Sequence, residues 1–220
     1  MAKTRAFDNN LYKYEEWFVI NKFVYQSELK AIEKAIPDDK NGFEIGIGSG
    51  LFAKPLGIKE GIDPSSKMRE KAIKRGLKVF DAVAENLPYP DESWDFALMV
   101  TTICFVDDIV KSFQEASRVL KKNGHLIIGF VDKNSPIGKI YLEFQDESVF
   151  YKKATFFGTE DLYRILKNTG FEIETTYQTV FGKLYEVKEI QEVQSGYGKG
   201  SFVVIKAKKR DLFVKNSRLL

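Results

Sequence analysis

Three glycines spaced by two, Gly46, Gly48 and Gly50, follow the apolar alternation Phe43, Ile45 and Ile47, which Glu44 punctuates. The alternation reads as the end of a buried strand. Glycines just beyond a strand let the backbone turn sharply and bring N–H groups against a ligand where the next helix begins. The spacing also restricts that ligand. A dinucleotide fingerprint needs glycine at the first, third and sixth positions, and the sixth from Gly46 is Leu51. Nineteen residues after Glu44 stands Asp63, at the end of an expected second strand from Ile58 to Ile62. One carboxylate in that place can accept from both hydroxyls of a ribose. Pro64-Ser65-Ser66 follow, and Ser65 or Ser66 is suited to cap a helix starting near Lys67. Met68, one turn beyond Ser65, offers a thioether that packs well on a flat base.

These residues need a parallel α/β scaffold to hold them. Residues 9–36 read as one or two helices, densely aromatic in Leu11–Ile20, with Phe23, Tyr25, Leu29, Ile32 and Ile36 continuing the apolar pattern until Pro37-Asp38-Asp39. Aromatic faces at Tyr12, Tyr14 and Trp17 could cover a cationic ligand. A short helix is expected near residues 51–56, interrupted by Pro55, and a third strand near Leu77–Asp81. Asp95–Val100 is a continuous apolar run, the pattern of a strand buried on both faces. It ends at Thr101-Thr102, at the carboxyl edge where open α/β sheets bind ligands. Asp107-Asp108 cap the next helix, whose inner face carries Ile109, Phe113, Ala116 and Leu120. Asn123-Gly124 provide its left-handed exit, and His125, the single histidine, opens a fifth strand through Val131. That start lies far from the ligand edge, which argues for a structural histidine. Thr159–Asp161 begin a last helix, and Phe171–Val180 and Ser201–Lys206 read as two strands without a crossover helix between them.

An acid two residues before G-x-G-x-G resembles the opening motif of class I S-adenosylmethionine-dependent methyltransferases. The run Ala84-Glu-Asn-Leu-Pro-Tyr-Pro-Asp-Glu-Ser-Trp-Asp95 is similar to the segment between strands three and four in the subgroup (type 11) that includes ubiquinone- and menaquinone-biosynthesis methyltransferases. Glu115-Ala-Ser-Arg-Val-Leu-Lys-Lys-Asn-Gly124 resembles that subgroup's E-x-x-R-V-L-K-P-G-G run, with Lys122 and Asn123 in place of Pro and Gly. The resemblance implies a Rossmann-like, seven-stranded, mostly parallel sheet flanked by helices, with an antiparallel C-terminal edge hairpin. It implies S-adenosylmethionine as cofactor, held by Glu44, Gly46, Gly48, Gly50, Asp63, Pro64, Met68, Val83, Ala84, Glu85 and Thr101. Many relatives carry Asp where this chain has Val83, which shifts recognition of the adenine amino group to Glu85 or a backbone carbonyl. The tetrapeptide of amino-group DNA methyltransferases is absent after Val100. Cytosine-C5 enzymes place Pro before their cysteine, whereas Ile103 precedes Cys104, so Cys104 reads as an inert buried thiol.

At 220 residues the chain suits one well-buried domain. The expected division is a helical cap over residues 1–40, a cofactor-binding core over 41–131, a substrate cover over 132–158, and a helix with edge strands over 159–220. No apolar run approaches the ~18–20 residues that span a bilayer, the first eight residues lack a signal peptide's apolar core, and a lone cysteine fits a reducing cytoplasm. A net charge of +3 is too small to argue for a nucleic-acid partner, which is not expected, although the tail carries Lys206, Lys208, Lys209, Arg210, Lys215 and Arg218. Abundant Lys and Glu beside few Cys, His and Met point to a thermophilic source. The resulting expectation is methyl transfer to a small molecule, with no metal and no nameable catalytic residue. An RNA or protein methyltransferase, or a cofactor-binding protein without turnover, are the alternatives. The acceptor, the atom methylated and the oligomeric state are not encoded legibly.

Overall fold

The computed structural model describes residues 4–38 and 41–210. Asp39 of the expected helix stop, and Lys215 and Arg218 of the basic tail, lie outside the described residues. Three helices come first: α1 (Arg5–Asn9), α2 (Leu11–Ile20) and α3 (Lys22–Ala35). The strand and helix alternation then runs β1 (Gly42–Ile45), β2 (Glu60–Ile62), α4 (Ser66–Lys74), β3 (Lys78–Phe80), β4 (Trp94–Val100), α5 (Ile109–Val119) and β5 (Leu120–Val131). After it come α6 (Pro136–Glu143), α7 (Thr159–Asn168), β6 (Phe171–Thr179), β7 (Gln194–Ser195) and β8 (Phe202–Lys209).

The strands form one sheet in the order β3-β2-β1-β4-β5-β8-β6-β7. β3 through β5 in that order are parallel, whereas β8 is antiparallel to β5 and to β6. This is the Rossmann-like sheet with an antiparallel end, but it holds eight strands rather than seven. The extra strand is the two-residue β7, which pairs with β6 on its outer side. The expected antiparallel pair is β6 and β8, with β8 lying between β5 and β6 at that end of the sheet.

Successive side chains of a strand face opposite layers, and β4 divides accordingly. Ala97 and Met99 join Phe113 and Ala116 of α5 and Leu162 and Leu166 of α7 on one face. Phe96, Leu98 and Val100 join Ala31 and Ile32 of α3 and Ala72 of α4 on the other. α3 buries Val24, Ser27, Glu28, Ala31, Ile32 and Ala35. That stripe differs from the expected one, since Phe23, Tyr25, Leu29 and Ile36 are only half-buried.

Two local expectations are corrected. Residues 51–57 form turns, not a helix. Pro55 has no N–H, so the i→i−4 bonds Lys54 to Gly50 and Leu56 to Phe52 are not contiguous, and Ile58 N–H closes the turn on Ala53 O at 3.0 Å. α5 ends at Val119, short of Asn123-Gly124, and His125 lies inside β5 rather than at its start. Asn123 does take a left-handed φ of 59°, but it serves the irregular entry of β5, where pairing with β4 jumps from Leu120 to His125.

The segment between β3 and β4 is tied down by Arg118 of α5. Its guanidinium donates to Glu115 Oε1 and Oε2, to Tyr89 O and Leu87 O, and to Asp91 Oδ1, all within 2.7–3.0 Å. Glu115 Oε2 in turn accepts from Leu87 N at 2.9 Å. A planar fork makes this possible, and a lysine ammonium cannot reproduce it. Arg118→Lys is expected to cost about 1–2 kcal/mol, discounted for partial exposure. A lower urea midpoint with an unchanged slope is the signature to measure.

Candidate functional site

The turn after β1 is built from left-handed backbone. Gly46 and Gly48 have φ of 71° and 56°, which side chains rarely tolerate. Gly46 also has no room: an added Cβ would sit 2.5 Å from the Thr102 side chain. Thr102 Oγ1 donates to Val100 O at 3.0 Å, so it is fixed in that position. Thr101, at the end of β4, is itself left-handed at φ 50°. A β-branched residue there is strained by about 1–3 kcal/mol, and its N–H is anchored on Gly129 O at 2.8 Å.

Asp63 faces this turn from the end of β2 and is 8% exposed. Oδ2 accepts from Gly48 N and Oδ1 from Ser65 N, both at 2.8 Å. Burial pushes its carboxyl up to about 6, against the lowering effect of those two N–H groups and of Arg69. Each oxygen keeps a lone pair for a further donor. Ser65 Oγ accepts from Met68 N at 3.2 Å, which caps α4 as the sequence indicates.

A cavity of about 650 Å³ opens above the sheet at this edge. Nine of the eleven residues expected to hold the cofactor line it: Gly46, Gly48, Asp63, Pro64, Met68, Val83, Ala84, Glu85 and Thr101. Glu44 and Gly50 do not. Glu44, 1% exposed, lies beneath the turn with Oε2 unpartnered. Burial, and then the charge of Asp63, hold its carboxyl well above the usual carboxylate range. Gly50, with φ 84°, leaves space for Leu77, whose Cδ1 would lie 2.3 Å from an added Cβ. The left-handed φ is what requires glycine there, whatever the space. Glu85 Oε1 is already engaged by the N–H groups of Asp107 and Asp108, at 2.7 and 3.0 Å.

Comparison with known proteins agrees with this geometry. Residues 43–128 match the type 11 methyltransferase-domain family. An uncharacterized protein of Methanocaldococcus jannaschii is 43% identical over 204 residues, 93% of this chain and 98% of that one. A crystal structure of an S-adenosylmethionine-dependent methyltransferase from Thermotoga maritima, named a possible histamine N-methyltransferase, is 48% identical. It superposes with a TM-score of 0.91 over 94% of this chain and 99% of that one. The chain belongs to the class I S-adenosylmethionine-dependent methyltransferases. A ubiquinone/menaquinone biosynthesis C-methyltransferase of Rickettsia akari is a more distant relative, 31% identical over 56% of this chain and 54% of its own length. S-adenosylmethionine is the methyltransferase's cofactor, and the side-chain-free cradle with a buried acid beside it fits that molecule.

The methyltransferase roofs its cavity with two segments that meet. Asp8 Oδ1 accepts from Ser65 Oγ at 2.7 Å and from Lys67 N at 3.2 Å, which hooks α1 onto α4. Phe7 then packs edge-on to Phe105 at 5.0 Å and against Phe150 at 5.4 Å. Tyr14 stands over the turn, its Oη 3.2 Å from where a Gly48 Cβ would be. Tyr14 and Trp17 line the cavity, but Tyr12 is 77% exposed and does not. From the segment after β5, Tyr141, Phe150 and Tyr151 complete the wall.

The sequence reading missed Phe7, Phe18, Glu28, Ser65 as a cavity residue, and Lys111. Glu28 left a signal: it is a charged residue on the stripe that Val24, Ala31 and Ala35 define at helical spacing. His125 is correctly structural, on the rim opposite the cavity, with Nε2 3.0 Å from Glu174 Oε2. Cys104 is buried as expected.

Glu28, Glu44 and Asp63 share a consequence. Burial raises all three carboxyls, Glu28 to about 8 and Asp63 to about 6, so the folded chain binds protons that the unfolded chain has released. Their contribution to stability is greatest below the ordinary values near 4 and falls as pH climbs towards 8. Ligand-free protein is expected to melt at a lower temperature at pH 8 than at pH 5. Glu28→Gln should narrow that gap by several degrees in scanning calorimetry.

Proposed function

We propose that the methyltransferase acts on a small-molecule acceptor, bound at the α2/α6 end of the cavity while S-adenosylmethionine occupies the β1/β2 end. The observation that carries this is the roof. The cavity runs under α1, α2 and residues 141–151, a covered volume within the range of small-molecule sites. The T. maritima relative named a possible histamine N-methyltransferase supports the same reading. So does the placement of the basic residues. Lys208 pairs opposite His125 at the far rim of the sheet, and Lys206 and Lys209 are engaged by Glu174 and Leu120 O. Among the described residues, the basic positions of the tail thus lie away from the cavity.

In this reading residues 1–40 and 132–158 are covers, residues 41–131 hold the cofactor, and residues 159–220 complete the domain. Asp63 would take the ribose hydroxyls, Gly46 and Gly48 would admit the amino-acid end, and Met68, Val83 and Ala84 would enclose the adenine. When bound, S-adenosylmethionine supplies a methyl group already activated on a sulfonium. The ring faces of Tyr14 and Trp17 favour a cation, and the roof excludes water. Holding the acceptor in line is worth roughly 7–11 kcal/mol in such a displacement.

Asp63→Ala removes the ribose acceptor and is expected to weaken S-adenosylhomocysteine binding about 10- to 100-fold by titration calorimetry. Affinity equal to the parent's would refute the cofactor placement. Labelled methyl groups should enter a desalted metabolite extract and not bulk RNA, and incorporation into RNA alone would refute the acceptor class.

A further inference from the structure

Glu28 is a carboxyl in the wrong company for a structural role. It lies on the buried face of α3 and is 5% exposed, yet among the described residues it makes no hydrogen bond and no ion pair. It lines the cavity. A carboxyl so placed is costly unless something pairs with it. Among the described residues there is no such partner: the two lysines in the cavity wall, Lys13 and Lys111, are not within ion-pair distance of it. The groups that feel its charge are phenols, Tyr25 on its own helix, Tyr141 of α6 and Tyr151 of the turn beyond it. Tyr141 and Tyr151 stack at 5.0 Å, and Phe105 stacks on Tyr151 at 5.9 Å. Ring faces around one unpaired carboxyl form a site selective for a cation on a flat or apolar body.

We propose that Glu28 receives a protonatable amine as the methyl acceptor and takes the proton that the amine must lose before it attacks. This rests on the small-molecule reading of the same cavity and names the acceptor's class. Pairing with the incoming ammonium ionises Glu28, whose own proton passes to solvent, and the ammonium then gives one N–H proton to the Glu28 carboxylate. The freed lone pair forms the bond to the methyl carbon as the carbon–sulfur bond breaks, and that bond's electron pair stays on sulfur as a thioether. The product leaves as an N-methylated ammonium, and Glu28 returns its proton to solvent. Burial supports the assignment, because it brings the carboxyl up to about 8, close enough to an amine for the proton to be shared.

The test titrates the full-length protein, saturated with S-adenosylhomocysteine, following the fluorescence of Trp17 in the cavity wall. The probes are 2-phenylethylamine and histamine, against 2-phenylethanol and phenylacetate. Both amines are expected to bind at least about tenfold more tightly than the alcohol, with no binding of the carboxylate. Glu28→Gln, which keeps the shape and removes the charge, should erase that preference while S-adenosylhomocysteine affinity changes less than about twofold. Turnover with either amine should fall in the same variant. Equal binding of amine and alcohol by the parent, or a preference that survives in the variant, overturns the proposal. A parallel loss of S-adenosylhomocysteine binding also overturns it, by placing Glu28 on the cofactor's own amino group. A parent that does not bind S-adenosylhomocysteine at all sinks the cofactor placement, and this proposal with it.

Discussion

Asp63 gives one carboxylate oxygen to Gly48 N–H and the other to Ser65 N–H, and those two bonds join the parts of the proposed cofactor site. The first fixes a left-handed turn that has no side chains to hold it. The second fixes the start of α4, where Ser65 caps the helix. Ser65 Oγ also reaches Asp8, so α1 is placed by the same group at one remove. Burial works against the ionised acid, and the two backbone donors only partly offset it. An acid left in that balance is short of donors, which is the condition for welcoming the hydroxyls of a ligand.

The lining of the β1/β2 end of the cavity was readable in the sequence because its demands are local. A turn with φ near 60–70° calls for glycine at Gly46 and Gly48, and a strand end beside it calls for an acid, so type and spacing carry the signal. The same logic also chose Gly50 and Glu44, which do not line the cavity. Gly50 takes a left-handed φ of 84°, so its glycine answers a backbone demand of the turn itself. Glu44 sits on a strand, and alternation turned it away from the cavity that Ile45 lines. The expected helix at 51–56 failed for a local reason, the missing N–H of Pro55, although the sequence already contained it.

The α2/α6 end was not readable because it is assembled from segments distant in the chain. Phe7 touches both Phe105 and Phe150, yet none has a periodic relation to the others. An aromatic residue in such a place is indistinguishable in sequence from one in the core. The exception is a polar residue on an apolar stripe, and Glu28 is that exception. The eye follows the hydrophobic pattern and skips the interruption, but the interruption carries the chemical information, since the rest of the stripe only packs.

The two halves therefore store free energy in different forms. Around the cofactor it is conformational: Thr101 is held left-handed at the tip of β4 by Gly129, and the glycines are fixed by hydrogen bonds. Around the acceptor it is electrostatic, a desolvated carboxyl among rings with no partner of its own. Conformational strain can be carried by a rigid sheet whose strands are paired on both sides, as β1 and β4 are. A carboxyl short of partners needs only exclusion from water, which the covers α2 and α6 provide and which keeps it protonated until a cation arrives. Binding energy from a ligand can relieve the second kind and not the first. That asymmetry lets the sheet keep one cofactor geometry while the covers adjust to the molecule they enclose.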